Sequence, residues 1–236
     1  QCLDRISFRN FLRMPQKIPD FSTIWYARER LAEHNADDAI WAELQRQLNE
    51  QGFVVQKGVI QDATIQEARR PAGTTSKKGS DLDGSYSVKG KKTSYGYKLH
   101  AKSCCDFNII REIATTTGSV HDSRIDLLQS GDIAAYRDNG YAGTAVPEGV
   151  VDNTLKKGYR GHPLTPEQKE ENLRLSKIRA PGERPFHVIK NCFGNGQVFV
   201  TILYRVHVKN IFTSIAYNLF QLVTLQRFGI AVALRL

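Results

Sequence analysis

At Gly52 the hydrophobic period of this chain changes from that of a helix to that of a strand, so helices should be followed by a sheet. Before it, Ile24, Ala27 and Leu31 recur at spacings of three and four, with Ser22 or Thr23 placed to cap the helix. Ile40, Leu44 and Leu48 form a second row beside Trp41, and Gly52 ends it. After Gly52, residues 53–55 and 59–65 are rich in β-branched side chains and read as strand. Further strands are expected over residues 95–105 and 109–117, joined by a turn at Asp106-Phe107-Asn108. A short helix is expected from Ser119 or Asp122 to Gly131, then a strand over 133–137 that ends at Asp138-Asn139-Gly140.

Thr165-Pro166-Glu167-Gln168 combines a cap, a proline at the first helical position and a glutamine three past the cap. The helix it opens should run to Arg179. Late in the chain, Ile211, Ile215, Leu219 and Leu222 or Val223 form an apolar stripe expected of a core helix. The expected order is helices, three strands, a helix, a strand and then helices. That order predicts an α/β fold, a ribonuclease-H-like mixed sheet flanked by helices. An N-terminal helical region over 1–51 precedes the domain over 52–236. The chain opens on Gln1 and enters an amphipathic pattern almost at once, so we expect it to lack its natural beginning.

Composition narrows the partners. With 33 Lys and Arg against 24 Asp and Glu, the chain carries a net charge of +9, which favours a polyanion such as double-stranded DNA. The alternatives are an acidic membrane surface or a basic enzyme with no such partner. The segment 69–94 is rich in Gly, Ser and Lys, and reads as a long basic loop. Its Lys77, Lys78, Lys89, Lys91 and Lys92 form either a solvated surface or a strip along a phosphate backbone. Lys98 and His100 share one strand face, either near DNA or half-buried. The four cysteines do not have the spacing of a disulfide framework or a zinc site. No apolar run is long enough to span a bilayer and no signal peptide opens the chain, so a cytoplasmic protein without membrane contact is expected.

Three acids stand in informative places. Asp62 lies within a strand of mostly apolar or small residues, where a buried charge needs a partner or a metal; taken alone, an exposed strand aspartate is the simpler reading. Asp138 lies at a strand end, where it is equally a good turn former. Glu183 lies at a helix start, an ordinary place for an acid. Singly, none is compelling. Jointly they fit a site in which oxygen ligands hold Mg²⁺ or Mn²⁺ for phosphoryl displacement. Arg179 and Lys190 flank Glu183 and are candidate phosphate clamps. At about 100° per residue, Glu183 and Lys190 project about 20° apart on a helix. Pro181, Gly182 and Pro185 conflict with a regular helix, so the position of Arg179 does not follow from helical geometry. His121 and Asp122 are a possible ligand pair, but a helix start capped by Asp122 or Ser119 fits better.

With these residues in view, the sequence resembles the DDE-type insertion-sequence transposases of the group numbered four and five. That group carries Tyr-x-x-Arg-x-x-x-Glu-x-x-x-x-x-x-Lys around its third acid. Arg179, Glu183 and Lys190 fall at the matching spacing, with Ser176 in place of the tyrosine. Residues 59–64 are similar to the first-acid strand, and residues 136–143 to the motif Asp-x-Gly-Tyr-x-Gly. Residues 95–100 and 120–123 also resemble family segments. The resemblance spans roughly residues 3 to 225. It implies a metal-dependent catalytic domain that cuts and joins DNA, with Asp62, Asp138 and Glu183 as metal ligands. It also implies an oligomer on paired transposon ends. The competing readings are a DNA-binding remnant without catalysis and a nuclease that hydrolyses without joining.

Overall fold

The computed structural model describes residues 6–13, 17–69 and 83–229. Three helices come first: α1 (Ile6–Phe11), α2 (Phe21–Glu33) and α3 (Ala36–Glu50). The cap of α2 is Asp20, whose carboxylate accepts from the Thr23 N–H at 2.7 Å, a few residues before the Ser22 or Thr23 cap expected. Strands β1 (Val59–Ala68), β2 (Ser85–Lys89), β3 (Lys92–Cys104), β4 (Ile110–Thr117), β5 (Ala134–Arg137) and β6 (Val151–Asp152) follow. Helices α4 (Pro166–Arg179) and α5 (Glu183–His187), strand β7 (Gln197–Val198) and helix α6 (Leu203–Arg227) complete the described chain.

Among the described residues the sheet is seven-stranded and mixed. β1 lies at its centre, antiparallel to β3 along one edge. Along the other edge it runs parallel to β5 near its start and to β7 near its end. β3 pairs antiparallel with both β2 and β4, and β6 lies parallel to β5. One antiparallel strand inserted beside parallel neighbours, with helices flanking, is the α/β, ribonuclease-H-like arrangement.

Alternation along the strands divides the sheet into two faces. Asp62 pairs with Ala101 and Thr64 with Leu99, so these residues share a face. Leu99 and Ala101 pack there with Phe186, Ile189, Ile211, Tyr217 and Trp41 of α3. The other face carries Gln61, His100 and Lys102, crossed by the segment 118–133. There the Gln61 amide donates to the Ile125 carbonyl at 2.6 Å, and Lys102 pairs with Asp132 at 3.1 Å.

Several local expectations are corrected. Residues 53–55 form no strand; Phe53 instead packs with Leu48 and Leu222. The second half of the supposed basic loop is the β2–β3 hairpin, with Gly90 and Lys91 at its turn. Lys77 and Lys78 lie outside the described residues. No helix forms between Ser119 and Gly131 beyond a 3-10 turn at Asp122–Arg124. Side chains satisfy that backbone instead: Asp126 accepts from the Leu128 N–H and Asp132 from the Gln129 N–H. The cap of the 3-10 turn is His121, while Asp122 is ion-paired to Lys98.

The apolar stripe on α6 is only half right. Ile211 and Leu222 are buried, but Leu219 and Val223 are exposed. The buried face also carries polar residues, Asn210, Ser214, Asn218 and Gln221, among its apolar ones. Asn218 exchanges two hydrogen bonds of 2.9 Å with the Ile110 backbone, and Asn210 exchanges two of 2.9 Å with Gln66. Asn218 thus satisfies the backbone of Ile110 at the start of β4, while Asn210 locks onto the Gln66 side chain of β1.

The capping box at Thr165 and Gln168 forms as expected. At the far end of α4 the chain does not break at its prolines. It tightens into a 3-10 turn over Ala180–Gly182, continues as α5, and widens into a π turn over Val188–Cys192. Gly182 is what allows that turn to lie on β1: a Cβ there would stand 2.5 Å from Ile60 Cγ2. We predict that Gly182→Ala destabilises the protein by about 1–3 kcal/mol, as overpacking does. Thermal unfolding of the variant beside the parent protein measures it.

Candidate active site

Asp62 sits near the middle of β1, and its carboxyl side chain is only 15% exposed. One oxygen accepts from the adjacent Ala63 N–H at 2.8 Å. The other accepts from Arg179 Nη1 at 2.6 Å. The second Arg179 nitrogen, Nη2, donates to Glu183 Oε1 at 3.0 Å. One guanidinium therefore joins an acid of the central strand to an acid of the helical segment. The 3-10 turn makes this possible. It carries Pro181 and Gly182 without losing the helical sense, so Arg179 and Glu183 stay four residues apart on one side.

Asp138 arrives by strand register. β1 and β5 run parallel, with Gln61 opposite Arg137 as the last pair of the ladder. Asp62 and Asp138 are the next residue on each strand. Asp138 Oδ1 accepts from the Gly140 N–H at 2.8 Å, closing a turn where a side chain at 140 would crowd that oxygen. Arg137 beneath is fully buried, donating to Thr154 Oγ1 and the Thr144 carbonyl, each at 3.0 Å. Its guanidinium carbon lies 5.6 Å from the centre of the Tyr141 ring. Burial, then Asp122, Asp62 and Asp138, hold the Tyr141 hydroxyl above the ordinary phenol range, so it stays neutral.

Electrostatics ties the group together. Burial pushes the Asp62 carboxyl up to about 6, against the pull of Arg179 and the Ala63 N–H, while the nearby Glu183 charge adds to the rise. For Arg179, burial opposes the charge, but Asp62, Glu183 and Asp138 together raise the guanidinium above its ordinary value. Oxygen-only donors around a site that already seats one cation fit a hard divalent ion such as Mg²⁺ or Mn²⁺. The three acids are not drawn tightly together. Among the described residues, the three ligand-type side chains whose donor atoms all lie within 4.8 Å of one another are Asp37, Asp38 and His207.

The lysines fall elsewhere. The π turn departs from the constant 100° step on which the alignment of Lys190 with Glu183 rests. Burial pushes the Lys190 ammonium down, and its charged neighbours are Lys92, Glu67 and Lys89, at the hairpin end of β1. Lys91 and Lys92 are exposed there, Lys92 lying 3.5 Å from Glu67. Lys98 does not project freely. It lies on the face opposite Asp62, where its ammonium donates to the Val120 carbonyl and to Asp122, each at 2.7 Å. This charge holds the segment after β4 on the sheet. His100 is buried beside it, and burial lowers its imidazole to about 4. Sequence reasoning missed Gln61 and treated Tyr141 only as part of a motif; strand alternation next to Asp62 was the available signal for the first.

Residues 55–219 match a family model described as the transposase DDE domain. No solved structure matches the chain.

The raised Asp62 value has a signed consequence. A carboxyl that titrates near 6 when folded and near 3.8 when unfolded binds its proton more tightly in the folded state. Its contribution to stability is complete below about 3.8 and is lost as the pH rises through about 6. In metal-free buffer, the melting temperature of Asp62→Asn relative to the parent should therefore climb between pH 4 and 7 and level off above. A difference that stays constant over that range would contradict the assignment.

Proposed function

Since the chain belongs to the transposase DDE domain family, we propose that it cuts DNA and joins strands in moving an insertion sequence, by metal-dependent phosphoryl transfer. The observation carrying this reading is the Arg179 guanidinium shared by Asp62 and Glu183, with Asp138 one strand away. In this reading Asp62, Asp138 and Glu183 are the catalytic, metal-holding residues. These residues would hold Mg²⁺ or Mn²⁺, which would supply an activated oxygen nucleophile and stabilise the leaving oxygen of an in-line displacement. Their ionised carboxylates provide the hard donors, and Asp62 reaches that state above about pH 6. Arg179 has a planar fork that matches a phosphate as well as a carboxylate, so it is placed to transfer from the acids to the scissile strand.

Lys190, with Lys89, Lys91 and Lys92 of the hairpin, forms the strip along which a DNA backbone runs toward the acids. The net charge of +9 supports a polyanionic partner. Among the described residues, no helix is long and apolar enough to cross a membrane. Assignment to group four and five, an oligomer on paired ends and a cytoplasmic, nucleoid-associated location belong to the same proposal. So does the division into a helical region over 1–51 and a catalytic domain over 52–236.

Replacing any one of Asp62, Asp138 or Glu183 by alanine should reduce Mg²⁺-dependent cleavage at least ~100-fold, the scale on which a lost electrostatic group acts. DNA binding should persist. Cleavage at the parent rate would remove that residue from the site. A pre-cut 3′-hydroxyl end separates transposition from hydrolysis, since only the former yields joined product. Neutralising Lys91 and Lys92 together should lower the slope of log affinity against log salt by roughly one per phosphate contact removed. Filter binding across a salt series reads that slope.

A further inference from the structure

We propose that Asp37, Asp38 and His207 form a second metal site, distinct from the three acids, which takes a Zn²⁺-class cation and clips α3 to α6. The donor atoms of the three residues all lie within 4.8 Å of one another. Two negative charges at the first turn of α3 have an ordinary explanation in the helix dipole, and that suffices for Asp38, which is exposed. It does not account for Asp37, which is 1% exposed. Its Oδ1 accepts from the Tyr204 hydroxyl at 3.0 Å, but Oδ2 is buried with no partner. A buried carboxylate oxygen left in that state is costly unless something positive meets it. Among the described residues, no lysine or arginine pairs with Asp37 or Asp38.

The surroundings orient these donors as the outer shell of a metal site would. His207 Nδ1 lies 3.1 Å from Thr115 Oγ1, and with Nδ1–H donating there the Nε2 lone pair is the one presented. Thr115 Oγ1 is itself fixed by a 3.0 Å bond from Asn210. One imidazole nitrogen with two carboxylates suits Zn²⁺ better than Mg²⁺, and three protein donors leave a fourth position for water. Tetrahedral Zn²⁺ at ~2.0–2.1 Å from its ligands sets them ~3.3 Å apart. The side chains therefore need to close by only about 1.5 Å, within reach of a small torsional change.

The test uses the full chain, with Zn²⁺ affinity measured by competition against a chromophoric chelator and the melting temperature recorded with and without Zn²⁺. The parent protein and Asp62→Asn should each retain a tight Zn²⁺ equivalent and a Zn²⁺-dependent rise in melting temperature. His207→Ala and Asp38→Asn should each weaken that equivalent at least ~10-fold and abolish the rise. Asp38 is exposed, so its variant keeps the measurement valid if His207→Ala folds poorly. Unchanged affinity in Asp38→Asn, or a parent protein whose only Zn²⁺ disappears in Asp62→Asn, overturns the proposal. Neither outcome depends on transposition, which the alanine variants of the three acids test separately.

Discussion

A carboxylate held in the middle of a central strand needs a cation, and here Arg179 is that cation. Asp62 faces the helices beside Ala101, where burial works against its charge. The guanidinium meets it at 2.6 Å and reaches Glu183 with its other nitrogen. The demand for neutrality at one strand position thereby governs how the segment from α4 to α5 lies on the sheet. The 3-10 turn, the bare Cα of Gly182 against Ile60 and the retained four-residue spacing all serve that one contact. Breaking such a pair by removing the cation leaves a buried charge, which is why the arrangement tolerates little drift.

The frame around this contact is stiffened by polar groups as much as by apolar ones. Asn210 and Asn218 of α6 bond to Gln66 and to the Ile110 backbone, so the longest helix is registered against both β1 and β4. Tyr217 donates to the Asn108 carbonyl, and Asn108 in turn donates to the Pro181 carbonyl just before Glu183. Hydrogen bonds of this kind are directional, so they set position along the sheet in a way that apolar burial alone does not. On the opposite face Lys98, His100 and Lys102 are occupied with Asp122, Thr116 and Asp132. Lys89, Lys91 and Lys92 of the β2–β3 hairpin are exposed instead, near the far end of the strand that carries Asp62, with Lys92 3.5 Å from Glu67.

Much of this was legible along the chain. The capping box at Thr165, the turn at Asp138-Asn139-Gly140 and the strands around residues 95–117 follow from local chemistry that tertiary contacts do not override. The failures share a cause. β2 looked like loop because Ser85, Ser87 and Lys89 are poor strand formers, and pairing with β3 makes it a strand. Residues 119–131 had helical spacing, but Asp126 and Asp132 bind the backbone groups a helix would have used. Lys190 was placed by assuming one constant turn angle, and the π turn after α5 departs from it. The burial of Asn210, Ser214, Asn218 and Gln221 on α6 was not legible, because their hydrogen-bond partners lie on segments distant along the chain.

The sequence by itself determined the helix-to-strand switch after Gly52 and the α/β class, because periodicity and caps are local properties. Only the tertiary structure decided which charges meet. It set Arg179 between Asp62 and Glu183, turned Lys98 inward and left Asp37 buried with no lysine or arginine paired to it among the described residues. Those outcomes depend on strand register and helix packing between segments distant along the chain. Electrostatic partnership is a matter of distance in space, which residue spacing does not encode.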